Sequence, residues 1–98
     1  MEQIQLTQAD DGRAVTLAAG QQVVIRLSEN PTTGYRWEPP GGVEVVGDEY
    51  RSPDGSATGG GGERVFTLAT TGEMRFELKR PWGGAPERIF TLRLVPGG

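Results

Sequence analysis

The chain has 98 residues, enough for one small domain spanning 1–98 that hides about 60–65% of its unfolded surface, and too few for a two-domain enzyme. Its 16 glycines and 7 prolines, set against a hydrophobic fraction of 35%, favour short elements joined by many turns over long helices. The absence of Cys and His removes thiol nucleophiles, Ser-His and Cys-His pairs, disulfides, Cys/His zinc sites and imidazole acid–base chemistry, so no cofactor or metal is expected. With a formal charge of -3 and cations scattered from Arg13 to Arg93, the chain offers no basic stripe for phosphates, which argues against nucleic acid as a partner.

The opening residues MEQIQLTQADDG lack a basic and then apolar leader pattern, and no run exceeds three consecutive apolar residues, so membrane insertion is not expected. Two compartments fit: cytoplasmic if Met1 is the native start, periplasmic or secreted if a leader was removed. Along the chain the apolar period is two. Ile4 with Leu6, Val15 with Leu17, Val23 with Ile25 and Leu27, and Tyr35 with Trp37 mark the first strands. Val43 with Val45, Phe66 with Leu68, Met74 with Phe76 and Leu78, and Phe90 with Leu92 and Leu94 mark the rest. Polar partners such as Arg75, Glu77, Thr91 and Arg93 then face outward, and two sheets must pack face to face to cover the inner sides. The predicted fold is all-β, an immunoglobulin-like antiparallel β-sandwich of about seven to eight strands, with Trp37 as the large buried aromatic of its core.

Three connections hold more special residues than a strand junction requires. In Asn30-Pro31-Thr32-Thr33-Gly34-Tyr35, Pro31 fixes φ and Gly34 permits positive φ, which makes a stiff, sharp turn. Asn-Pro or Gly alone would read as an ordinary turn, but two adjacent β-branched hydroxyl residues there suit entry into a polar cleft at small ordering cost. SPDGSATGGGGE reads by composition as a flexible linker. Its Gly59, Gly60, Gly61 and Gly62 can instead lie flat along a partner and offer backbone N–H and C=O groups, if several hydrogen bonds offset about 1–2 kcal/mol of ordering per residue. Arg80, Pro81 and Trp82 place an indole in a Gly/Pro-rich loop rather than at an inward strand position. Core filling is the plain alternative for Trp82, yet Arg and Trp are the residues most enriched at binding hot spots. In an immunoglobulin-like sandwich, loops between strands two and three, four and five, and six and seven gather at one end, close to the spacing seen here.

Taken together and in this order, NPTTGY, GxGG (met by Gly59–Gly62) and RPW resemble the signature of the chagasin family of cysteine protease inhibitors, and the strand rhythm from Ile4 to Val95 extends the resemblance over nearly the whole chain. The resemblance implies reversible, tight-binding inhibition of papain-like cysteine proteases by a monomer whose three loops form a wedge across the active-site cleft. It implies that Thr32 sits beside the catalytic Cys and His of the protease, flanked by Pro31 and Thr33. Gly59–Gly62 would run along one side of the groove, and Arg80 and Trp82 would pack on the other. Two further readings compete. An adhesion or carbohydrate-binding module would need a flat aromatic platform, for which only Trp82 and Tyr35 are available outside the core. A carboxylate enzyme would need convergent acids, whereas Glu29, Glu38, Asp48 and Asp54 lie near loops, where acids are ordinarily solvated.

Overall fold

The computed structural model describes residues 3–30, 33–51 and 61–97. Alternation of apolar and polar side chains yields eight strands: β1 (Ile4–Thr7), β2 (Arg13–Leu17), β3 (Val23–Glu29), β4 (Arg36–Glu38), β5 (Val45–Arg51), β6 (Gly62–Leu68), β7 (Gly72–Lys79) and β8 (Arg88–Pro96). They form two four-stranded sheets, in the orders β1-β3-β6-β5 and β2-β8-β7-β4. The later strands pair antiparallel, whereas β1 joins β3 and β2 joins β8 in parallel. This is the predicted immunoglobulin-like sandwich. Two assignments move slightly: β4 begins at Arg36, leaving Tyr35 in the loop, and Val43 precedes β5, but both side chains still pack on the core.

The chain changes sheets after β1 through one 3-10 turn, Gln8–Asp10. Asp10 accepts from the Thr7 N–H (2.9 Å) and from Arg13 (2.8 Å), and Asp11 accepts from the Thr91 N–H (2.8 Å), so the crossover is tied to β8. The Thr7 bond and Arg13 hold the Asp10 carboxyl below its ordinary pKa.

Between the sheets, residues of one parity interdigitate. Val23, Ile25 and Leu27 of β3 and Phe66 and Leu68 of β6 face Phe76 of β7, Phe90 and Leu94 of β8 and Trp37 of β4, all buried. The Phe76 ring lies between Phe66 (centroids 5.1 Å) and Phe90 (5.9 Å, edge-on), joining the two sheets through aromatic contact. Arg75, Thr91 and Arg93 face solvent, as the alternation requires.

Phe76→Ala would leave a cavity bordered by two rings that cannot both close on it, and should destabilise the fold by about 3–5 kcal/mol. Urea unfolding checks this: an unchanged m-value with a much lower midpoint is the expected result.

Candidate functional site

The described residues at and beside the connections β3–β4, β5–β6 and β7–β8, where the three motifs fall, meet at one end of the sandwich. They enclose an open cleft of about 420 Å³. Glu29, Asn30, Thr33 and Tyr35 line it from the first connection, Gly61 and Gly62 from the second, and Leu78, Glu87 and Arg88 from the third.

The first connection is braced from within. The Asn30 carbonyl accepts from the Thr33 N–H (3.1 Å) and the Thr33 hydroxyl (2.8 Å), and the Tyr35 N–H donates back to Thr33 Oγ1 (3.3 Å). Gly34 has φ +82°, and a Cβ there would stand 3.3 Å from the Trp82 ring, so both conformation and close approach call for glycine. Pro31 and Thr32 lie outside the described residues, as do Gly59 and Gly60.

The second connection closes on the first. Gly61 is exposed, and a Cβ on it would meet Asn30 Cβ and the Glu29 carbonyl at an ordinary 3.7 Å. Gly62 differs: a Cβ there would fall on the Arg51 carbonyl and the Tyr50 ring, so this glycine lets β5 and β6 pair at the loop stem.

In the third connection Trp82 is 73% exposed, whereas Trp37 is 1% exposed. The Arg80 guanidinium lies 4.5 Å from the Tyr35 ring centroid and 5.6 Å from that of Trp82, bridging the two loops by cation–π contact. A turn closed by the Gly83 N–H on the Arg80 carbonyl (3.1 Å) brackets the exposed Pro81 and Trp82. Beyond it, the Glu87 N–H returns to the Leu78 carbonyl at 2.7 Å, so GGAPE re-enters β8 on a fixed hydrogen bond.

Sequence reasoning missed the group that holds the first two connections. Glu29, grouped above with solvated acids, is 5% exposed. Its carboxylate receives Arg64 Nη2 at 2.7 Å and Arg64 Nε at 3.2 Å, and Oε1 accepts from the Trp37 N–H at 2.8 Å. Arg64 extends to Asp48 (3.1 Å) and lies over the Tyr50 ring (5.7 Å). Bonding to Glu29 raises the Arg64 pKa further above its ordinary value, against the opposite pull of burial, so the guanidinium stays charged. The Trp37 indole N–H donates to the Ser28 carbonyl at 2.7 Å, a second tie between β3 and β4 across the sheets. A signal was present: Glu29 continues the inward parity of Val23, Ile25 and Leu27, and Arg64 that of Phe66 and Leu68. Of the other acids, Glu38 is exposed, Asp48 is engaged by Arg64, and Asp54 lies outside the described residues.

These features define a small immunoglobulin-like sandwich with a braced loop edge. Residues 16–94 match the model of the chagasin family peptidase inhibitor I42. Chagasin of Trypanosoma cruzi is 34% identical over 91 residues, spanning 81% of this chain and 83% of that protein. Amoebiasin-1 of Entamoeba histolytica is 35% identical over 98 residues, spanning 91% and 95%. The cysteine protease inhibitor EhICP2 of Entamoeba histolytica superposes with a TM-score of 0.79 at 26% identity, covering 97% of this chain and 96% of that one. The chain belongs to the chagasin family of peptidase inhibitors.

Glu29→Gln keeps an acceptor for the Trp37 N–H but leaves Arg64 facing a neutral amide, and should destabilise the domain by about 2–4 kcal/mol. The double variant E29Q/R64M, which removes both buried charges, should lie nearer the wild type than E29Q does. A double-mutant cycle in urea measures the difference, and strict additivity would contradict the pairing.

Proposed function

We propose that the chain inhibits papain-like cysteine proteases reversibly by seating the β3–β4, β5–β6 and β7–β8 loops across the active-site cleft. Family membership supports the inhibitory activity, and the geometry of the loop end supports the mode. The observation that carries the mode is Trp82, exposed at the loop end, with its ring close beside Gly34 and within cation–π range of Arg80. An indole already stacked beside Arg80 loses less freedom on association than a free one, and burying about 150–200 Å² of it contributes about 4–5 kcal/mol.

In this reading Asn30, Thr33, Gly34 and Tyr35 are the stem of a plug whose tip, Pro31-Thr32, enters the catalytic centre. Pro31 lacks an N–H and restricts the residue before it, which favours a turned tip over the extended strand that such proteases cleave. Gly59–Gly62 pass along one side of the groove, with Gly62 also serving the β5–β6 pairing. Arg80, Pro81 and Trp82 form the opposite side, where Arg80 acts in part by setting the indole angle. A carbohydrate-binding platform has little support: among the described residues Trp82 is the one exposed aromatic, and Tyr35 lies half-buried beside Arg80.

Steady-state inhibition of papain, with trypsin as control, tests the proposal. Papain should be inhibited reversibly and trypsin left active; no inhibition of several papain-like enzymes at micromolar protein would overturn it. Trp82→Ala should leave the fold intact and weaken inhibition by about 2 kcal/mol or more, whereas Thr32→Ala should weaken it by about 0.5–1.5 kcal/mol. Gly61→Ala fits the free domain, so any loss of affinity it causes reports contact with the protease. Mass spectrometry after long incubation should show residues 30–35 uncut; cleavage there on the timescale of inhibition would mark a slow substrate instead.

A further inference from the structure

The described cations are not spread evenly in their partnerships. Arg13, Arg51, Arg64, Arg75, Lys79 and Arg93 each take part in an ion pair. Among the described residues Arg26, Arg36, Arg80 and Arg88 have none, and all of these except Arg26 stand at the loop end. Arg36 opens β4 directly opposite Lys79 of β7, a like-charge cross-strand pair of the kind that weakens a sheet. Arg80 follows Lys79, and Arg88 faces Leu78 across β7 and β8 and lines the cleft. Adjacent strands are about 4.8 Å apart, so the Cα atoms of Arg36, Lys79 and Arg88 fall in a band about 10 Å wide, with Arg36 and Lys79 on the outer face of the sheet and Arg88, paired with Leu78, on the face toward the cleft.

Acids stand near this band as well. Glu87 precedes Arg88, and Glu38 faces Glu77 two residues further down the strands, where Arg75 and Lys79 already engage Glu77. Across the cleft, beside Gly61 and Gly62, the exposed Glu63 has no ion pair among the described residues, and Arg51 is taken up by Glu49. On the Trp82 side of the edge, Arg36, Arg80 and Arg88 are therefore cations without an ion pair among the described residues, on a chain whose formal charge is -3.

We infer that Arg36 and Arg88, with Lys79 and Arg80, form an electrostatic docking flank that selects papain-like proteases whose cleft is bordered by acidic residues on the side where Trp82 packs. The inference rests on the proposed function and adds a determinant of target choice outside the three motifs. Unpaired surface cations beside a binding edge act mainly on encounter, raising the association rate and making it fall with salt. The net charge alone gives the opposite sign: a chain at -3 approaching an acidic protease is repelled, and added salt would speed association.

The test is stopped-flow association and dissociation with two papain-like proteases that the wild type inhibits, one with an acidic and one with a basic cleft rim, at about 20 mM and about 500 mM salt. The variant R36Q/R88Q removes two charges that hold no ion pair and leaves Arg80 and Trp82 in place; R36K/R88K keeps the charge. On the acidic-rim protease at low salt, R36Q/R88Q should associate about 5–10-fold more slowly, with dissociation changed less than about twofold, and the gap should close at high salt. R36K/R88K should restore the rate, and the basic-rim protease should bind R36Q/R88Q as fast as the wild type or faster. Equal association rates at low salt, or an equal loss on both proteases at both salts, would overturn the inference. Should the double variant fail to fold, R36Q and R88Q singly are held to the same outcomes. If no papain-like protease is inhibited by the wild type when the pair is chosen, the proposed function itself is defeated, and this inference with it, before any variant is compared.

Discussion

The loop end depends on one buried ion pair. Glu29 closes β3 and Arg64 lies on β6, diagonal neighbours in one sheet, and the Trp37 N–H that Glu29 also binds belongs to β4 in the other. Taking either charge out of water costs several kcal/mol, so the pair persists only where hydrogen bonds satisfy what remains of each group. Here Trp37 and Asp48 supply them, and no described buried side-chain polar atom is left without a partner. The consequence is geometric. With both ends of the β3–β4 connection held to one carboxylate, a short loop must span a fixed gap between sheets, and its stem cannot drift against the β5–β6 stem beside it.

A binding edge made of loops is useful only if the scaffold has already removed most of their freedom. The aromatic contact of Phe66, Phe76 and Phe90 holds the sheets together beneath, and Arg80 between Tyr35 and Trp82 continues that order to the surface. The Thr33 hydroxyl serves the turn, accepting from the Tyr35 N–H and donating to the Asn30 carbonyl. Rigid stems, an exposed indole and a glycine segment together make an edge that needs no chemistry of its own to block a cleft.

Much of this was legible in the residues. Period-two alternation touched each of the eight described strands, β4 and β5 by one residue each, Trp37 and Val45, because a half-buried strand must write its two faces into alternate positions. The same rule holds for parallel and antiparallel neighbours alike, so the parallel pairing of β1 and β2 left no trace in Ile4, Leu6, Val15 and Leu17. Glu29 was misread because position near a loop outweighed parity; inward parity on two neighbouring strands was enough to pair it with Arg64. The motifs marked the three connections, but composition could not divide the labour among glycines. Gly34 serves the approach of Trp82 and Gly62 the closure of β5 on β6, and only Gly61 of the described glycines in the middle motif is open to a partner.

The central claim is that the end built from these three connections is what meets the protease. Amide hydrogen exchange of the chain with and without one equivalent of papain measures this directly. The account predicts slowed exchange confined to peptides covering 30–35, 59–62 and 80–84, with the turns at the opposite end of the sandwich, 18–22 and 69–71, unchanged. Protection centred on that opposite region, with exchange at the three loops unaltered, would contradict it.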